Sequence, residues 1–203
     1  MPSYVRAWIC SNWMYAGLVA GLFLLALVPL LTGAWSLALL LVYLHSPVYM
    51  LHQVEEHAAD RFRTFINLHI GHGRDALTTA AVIWINIPLV WGVNLAALYL
   101  ARLLDVGFGL IAIYTMLINA ITHIGAAARL RVYNPGLGTA VILFLPLSLW
   151  TLWVLAHTPG VGALHHVLGL AVAVLIHAAI VVHVLRRARS VATPILSQST
   201  HVR

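Results

Sequence analysis

The residues that could do chemistry are concentrated in one short segment, His52-Gln53-Val54-Glu55-Glu56-His57-Ala58-Ala59-Asp60, which holds three of the five acidic residues of the chain. An α-helix turns by about 100° per residue, so His52, Glu55 and Glu56 would project from one face. His57 would point well away from that face. Two carboxylates beside an imidazole could bind a metal ion or transfer protons.

Histidine and carboxylate would have to supply any metal site, because the chain has a single cysteine, Cys10. One thiol excludes an internal disulfide and a cysteine-rich zinc or iron–sulfur site. Imidazole and carboxylate ligands together suit iron, zinc or manganese. The twelve histidines of the chain are therefore the source of the candidate ligands.

The composition is typical of a membrane protein. Hydrophobic residues make up 62% of the chain, only 8% of its residues are charged, and the mean hydropathy is +0.95. Soluble domains have roughly 25% charged residues. All eleven basic residues are arginines that lie between apolar blocks, whereas a nucleic-acid groove would need a basic patch with interleaved aromatic residues. We therefore expect this protein to contact membrane lipid and to bind no nucleic acid.

Six apolar segments approach the length of about 20 residues that a helix needs to span a membrane. Their approximate limits are 14–31, 34–58, 76–101, 107–127, 137–157 and 164–185. A longer polar stretch, residues 60–75, separates the second segment from the third. The first segment exceeds the roughly 7–15 residues of a signal-peptide core, so we expect it to be retained. The sequence thus predicts an all-α, polytopic bundle of six transmembrane helices.

The arginines indicate the orientation of this bundle, since membrane proteins concentrate basic residues in cytoplasmic loops. If both termini are cytoplasmic, every arginine except Arg102 falls on the cytoplasmic side. A five-helix chain would place the arginines of one terminus on the wrong side. We expect an integral plasma-membrane protein of the bacterial inner-membrane type. It would have a single transmembrane domain over residues 1–190 and a short flexible tail over residues 191–203.

Helix direction then predicts which histidines lie near the glutamates. An ionisable group in a spanning helix is costly unless it is paired, bound to a metal or facing a cavity. The second and fourth helices run the same way, which puts His123 at the depth of His52, and the sixth helix brings His183 to that level. The leading metal ligands are His52, Glu55, Glu56 and His123. The reserve ligands are His183, His69 and His72.

A turn at the same depth, Tyr133-Asn134-Pro135-Gly136, could close the site from below. Proline fixes φ in such a turn, and glycine accepts a positive φ. The turn could hold the Tyr133 hydroxyl over the site. Tyr133 is therefore a catalytic candidate together with Glu55 and Glu56.

With these motifs the chain resembles the HXXEE family of membrane proteins, whose name matches His52-Gln53-Val54-Glu55-Glu56. The resemblance implies two more signatures, a separate histidine and a Tyr-X-Pro-Gly motif, which His123 and the turn at residues 133–136 supply. The alternatives for the separate histidine are His69, His72, His177 and His183. The function of the family is unknown, so the resemblance implies a site and no reaction.

Three functions stay open at this point. The first is a membrane-embedded metalloenzyme that acts on a lipid-soluble substrate, with one or two ions of iron, zinc or manganese held by histidine and glutamate. The second is a metal-free isomerase or cyclase in which Glu55 or Glu56 donates a proton and His52 orients it. The third is a transporter of protons or divalent cations, against which the chain shows no internal repeat. Haem bound through His177 ranks last.

Overall fold

A computed structural model describes residues 2–191, and its regular structure over this range is entirely helical. Six helices in this range are long and apolar enough to cross a membrane, which confirms the predicted all-α bundle. The helices are α1 (Ser3–Leu31), α2 (Leu37–His57), α3 (Arg61–His69), α4 (Thr79–Leu103), α5 (Val106–Leu130), α6 (Leu137–Ala156) and α7 (Ala163–Ser190). The short α3 continues α2 after a break, and the two count as one spanning segment. The predicted tail lies outside the described residues, apart from Val191.

The candidate residues of the second segment lie on α2, which is the centre of the bundle. This helix packs against α1, α4, α5 and α6. The apolar layer around Val42 of α2 includes buried residues from three neighbours, namely Ala101 of α4, Leu110 and Ile113 of α5 and Leu155 of α6. A polar side chain on α2 therefore faces protein on most sides of the helix.

The end of α2 is set by its backbone and by one arginine. Ala59 and Asp60 adopt positive φ angles of 54° and 58°, which a right-handed helix does not contain. The Arg61 guanidinium donates to the carbonyl groups of Ala58 and Val54, at 3.0 and 3.4 Å. Each of these carbonyl groups also accepts a backbone N–H, so the guanidinium adds a second donor to both at the helix end. The helix therefore stops directly after the two glutamates and His57.

The polar stretch that separates the second and third apolar segments, residues 60–75, contains the short helix α3 over Arg61–His69. Phe62 and Ile66 lie four residues apart on one face of α3 and pack against the buried apolar core. Arg63, to one side of that face, pairs with Asp60 and Asp75. An amphipathic pattern of this kind favours a helix that lies along the end of the bundle.

A tight turn over residues 131–136 joins α5 to α6 at the same end of the bundle. Arg131 ends α5 with a φ of 54°, and Gly136 precedes α6 with a φ of 96°. The turn thus brings residues 133–139 against the last turns of α2 and α5. These are the helix ends that carry the glutamates and His123.

Candidate metal centre

Three buried side chains converge where α2 and α5 end. His52 and Glu56 come from α2 and His123 from α5, and one ligand atom of each lies within 4.8 Å of the other two. Nε2 of His52 is 3.5 Å from Glu56 Oε2, and Nε2 of His123 is 3.5 Å from Glu56 Oε1. The three residues are 0%, 5% and 4% exposed, respectively. The structure therefore brings together three of the four leading ligand candidates.

The tautomer of His52 follows from its neighbour Thr139. The Thr139 hydroxyl donates to the Glu55 carboxylate, so its oxygen accepts from Nδ1 of His52, which lies 2.7 Å away. In a neutral imidazole, a proton on Nδ1 leaves a lone pair on Nε2. His52 therefore directs a lone pair at Glu56.

The tautomer of His123 is fixed in the same way by Asn134. The amide nitrogen of Asn134 donates to the His123 carbonyl at 2.9 Å, which orients the amide so that Oδ1 faces the imidazole. This Oδ1 lies 2.6 Å from Nδ1 of His123 and can only accept, so Nδ1 carries the proton. A metal-binding histidine usually has its second ring nitrogen held by such a partner.

A cation would stabilise the resulting arrangement of the three side chains. Two imidazole lone pairs and a carboxylate face one another, and Nε2 of His52 is buried without a hydrogen-bond partner among the described residues. Burying such groups is unfavourable unless a proton or a metal ion lies between them. Two ligand atoms about 2.1 Å from one zinc ion, at the tetrahedral angle, are about 3.4 Å apart. Each imidazole nitrogen lies 3.5 Å from a different oxygen of Glu56, close to this separation, and one ligand atom of each residue lies within 4.8 Å of the other two.

Glu55 has a different set of contacts from its neighbour Glu56. Its carboxylate accepts from the backbone N–H groups of Gly138 and Thr139, at 3.0 and 2.6 Å, and from the hydroxyl groups of Thr139 and Tyr133. The N–H groups at the start of a helix favour a negative charge. Glu55 therefore anchors α2 to the start of α6 and lies outside the three-residue cluster.

Tyr133 lies at the outer side of this anchor. Its side chain is 59% exposed, and its hydroxyl reaches Glu55, not the cluster. The hydrogen bond to the Glu55 carboxylate raises the pKa of Tyr133 above its ordinary value. The structure thus places Tyr133 beside one predicted catalytic residue and away from Glu56.

His57 faces the cluster, and the prediction that it points away from Glu56 is wrong. Nε2 of His57 is 3.1 Å from Glu56 Oε2, and the residue is 5% exposed. α2 ends at His57, and the side chain is held between Trp13 and Phe62, whose rings lie 5.2 and 5.7 Å away. The position of this imidazole is determined by the side chains that pack around the helix end. A helical wheel does not represent those contacts.

The three reserve ligands do not join the cluster. His69 stacks on Phe65 of α3, with ring centroids 4.5 Å apart. His72 is exposed in the following loop. His183 is exposed on α7, where it lines a shallow groove with Arg186.

Gly136 supports both imidazoles through its backbone. A Cβ atom at this position would lie 2.7 Å from Cε1 of His123 and 2.8 Å from Cε1 of His52. Its φ of 96° is also one that other residues rarely adopt. Glycine is therefore required here for space and for conformation. Sequence reasoning named this turn but missed Thr139, because no local pattern distinguishes it from other hydroxyl residues.

A cavity of about 360 Å³ adjoins the cluster. Glu56, His57, His123 and Asn134 line one end of it, and most of the remaining wall is formed by apolar side chains of α3, α4 and α7. The helix α5 adds mainly polar side chains, namely Thr115, Asn119 and Thr122. The volume is in the range of about 300–1,000 Å³ found for small-molecule sites. The cluster thus borders a space that a small apolar molecule could enter.

Fold and site together define a class of protein, a six-helix membrane protein with a buried histidine–carboxylate cluster beside an apolar cavity. Residues 43–151, more than half of the chain, match the family model described as "Protein of unknown function with HXXEE motif", and the chain therefore belongs to the HXXEE family. The matched range contains His52, Glu56 and His123 together with the residues that orient them. Comparison with curated proteins and with solved structures finds no match.

Proposed function

We propose that this protein is a membrane-embedded, metal-dependent enzyme that acts on a lipid-soluble substrate. One observation carries the proposal: lone pairs of His52 and His123, each fixed by a partner on its Nδ1, face the Glu56 carboxylate at the end of an apolar cavity. A packing network would need hydrogen-bond donors between these groups. A set of metal ligands needs no hydrogen-bond donor between its members, because the metal ion lies there.

The donor set favours zinc, iron or manganese as the bound metal, because it combines two imidazoles and a carboxylate with no thiolate. Such an ion would supply Lewis-acid chemistry, or redox chemistry if it is iron. Glu55 is committed to four hydrogen bonds, which supports one ion, not two. Three protein ligands leave at least one position for water or substrate, as catalytic sites do.

The residues around the cluster divide into ligands, proton carriers and supports. His57 lines the cavity and contacts Glu56, so we assign it the transfer of a proton to or from the substrate. Thr139 and Asn134 hold the tautomers of the two ligand histidines. Glu55 and Tyr133, both predicted from the sequence to be catalytic, are assigned to positioning through the anchor at α6.

The arginine distribution supports a cytoplasmic site in a plasma membrane of the bacterial inner-membrane type. Arg61, Arg74 and Arg131 lie at the end of the bundle that holds the cluster, whereas Arg102 lies at the other end. Basic residues are concentrated on the cytoplasmic side of membrane proteins. The proposed substrate would then be processed near the cytoplasmic surface.

Metal analysis of detergent-purified protein tests the proposal. We expect about one equivalent of zinc, iron or manganese in the wild type and less than about a tenth of that in Glu56→Gln. His157→Gln is the matched control, since it replaces an exposed imidazole at the opposite end of the bundle. Wild-type protein that stays folded and metal-free after all three metals are supplied would overturn the proposal and favour the metal-free acid–base enzyme. Cation flux in proteoliposomes that depends on Glu56 would favour a transporter.

A further inference from the structure

The cavity beside the cluster lies between two helices that hardly pack against each other. α7 packs along α5, and its contact with α4 is slight. Ile85 and Val90 of α4 line one side of the cavity, and Ile176 and Ile180 of α7 line another. Val90 lies 11 residues after the start of α4, about 16 Å along the axis. The cavity therefore reaches to about half the depth of a hydrocarbon core some 30 Å thick.

Toward the loops, packing contacts close the gap between α4 and α7. Val184 and Ala188 of α7 belong to the same apolar cluster as Leu77 and Val82. The Arg74 guanidinium donates to the Ala188 carbonyl at 2.8 Å. Deeper in the bundle, α7 residues that line the cavity remain accessible: Val181 is 52% exposed. A side chain that lines the cavity is thus exposed on the outer surface of α7, a helix apolar enough to span a membrane, so a lipid-soluble molecule could enter there from the bilayer.

Two residues that line the cavity, Asn119 and His177, carry hydrogen-bond acceptors that no described residue pairs with. The side-chain oxygen of Asn119, one helical turn before His123, is buried and without a hydrogen-bond partner among the described residues. Nδ1 of His177 lies 2.8 Å from the Ala173 carbonyl, which can only accept, so Nδ1 carries the proton and Nε2 offers a lone pair. The buried Asn119 oxygen costs about 1–3 kcal/mol if it stays unpaired. A ligand with a donor group would satisfy it.

The charge of the wall limits the ligand further. The described lining residues include no arginine, and the chain has no lysine. A phosphate or carboxylate headgroup would therefore find no permanently charged side chain in the cavity to pair with it, since the basic lining residues are histidines. The small volume also favours a single hydrocarbon chain over a lipid with two.

From these observations we propose that the cavity takes a neutral, single-chain lipid alcohol from the membrane, whose hydroxyl donates to Asn119 or His177 and lies beside Glu56 and His123. The proposal rests on the proposed function in that it names the substrate class of the same site. It predicts binding of the alcohol whether or not a metal is present.

Photolabelling of the protein in phosphatidylcholine vesicles tests this. The probe is a long-chain primary alcohol with a diazirine in its chain, and the matched probe is its methyl ether, which has no donor. We expect the alcohol to label peptides of α4 and α7, and excess unlabelled alcohol, but not excess ether, to compete. Asn119→Leu should weaken labelling about three- to tenfold, the loss of one net hydrogen bond. Equal labelling by both probes, or none, would overturn the proposal.

Two tryptophan variants show whether the label enters the cavity. Ile180→Trp fills the cavity and should abolish labelling. Ala179→Trp, at the preceding and exposed position of α7, should leave labelling unchanged. Size-exclusion profiles test whether both variants are folded. Glu56→Gln separates the two proposals: labelling that persists there supports the lipid site even if no metal is ever found. Metal in the wild type with no alcohol-specific label would overturn the lipid site alone.

Discussion

The hydroxyl oxygen of Thr139 lies 2.7 Å from Nδ1 of His52, so a residue at the start of α6 determines which nitrogen of a buried imidazole on α2 holds the proton. The same hydroxyl donates to Glu55. Glu55 and Glu56 are adjacent in the sequence, yet the first acts on the cluster through Thr139 and His52 and the second is part of it. This chain of contacts leads to the first prediction.

Thr139→Val should weaken metal binding without unfolding the protein. Valine has the shape of threonine and no hydroxyl, so the His52 tautomer is no longer fixed. Loss of such a partner typically lowers metal affinity about 10- to 100-fold. Competition with a chelator measures the affinity, Thr139→Ser should restore it, and Thr158→Val at the other end of the bundle is the control. Unchanged affinity in Thr139→Val would show that the hydroxyl does not orient His52.

The two glutamates should respond differently to the same substitution. Glu55→Gln places an amide NH₂ among four donors and should lower the stability of the metal-free protein by about 1–3 kcal/mol. Glu56→Gln should leave metal-free stability equal or higher, because it removes a buried carboxylate, and should lose the metal. Thermal unfolding after chelation, together with metal content, separates the two effects. Identical behaviour of both variants would argue against separate roles.

Gly136→Ala should disrupt the cluster through the backbone. The added Cβ would press on His52 and His123, and the positive φ alone costs about 1–3 kcal/mol for a residue with a side chain. Gly125→Ala is the matched control, since it lies within α5 with open space around it and should be neutral or stabilising by up to about 1 kcal/mol. Thermal unfolding and metal content should both fall in the first variant only.

Tyr133 should make the stability of the protein sensitive to alkaline pH. Its pKa is raised above the ordinary value of 10.0, chiefly by the hydrogen bond to Glu55. The folded state therefore holds this proton more tightly than the unfolded state. The resulting stability is fully present below pH 10 and is lost as the pH rises through the raised pKa. Unfolding temperatures between about pH 9 and 11.5 measure the loss.

Tyr133→Phe removes that titration and should show a smaller fall in unfolding temperature over the same range. The chain has no lysine, so tyrosines and the one cysteine are the groups that titrate there. Tyr99→Phe, which removes an exposed phenol on α4, should behave like the wild type. Parallel curves for the wild type and Tyr133→Phe would contradict the bond to Glu55.

Much of the site could be predicted because depth and helix face are local properties. Apolar runs define the helices, their alternation gives direction, and direction sets His123 level with His52. Rotation about the helix axis is harder to predict. His183 follows His177 by six residues, a rotation of about 240°, so it points elsewhere once His177 faces the cavity. Depth alone could not exclude it.

The distinct roles of the glutamates could not be predicted, because the difference is tertiary. Glu55 and Thr139 are separated by 84 positions, and nothing near either residue indicates the other. His57 was predicted to point away because the helical wheel ignores what packs around a helix end. Contacts with Trp13 and Phe62 decide its position.

The anchor between α2 and α6 has a consequence for biosynthesis. A ribosome delivers α2 to the membrane well before it makes Gly138 and Thr139, so the nascent Glu55 has none of the backbone donors that later surround it. An unpartnered acid in hydrocarbon is unfavourable, and a chain halted before α6 would display that defect to the proteases that clear incomplete proteins. The sequence motif that builds the cluster thereby also ties its completion to the synthesis of the second half of the chain.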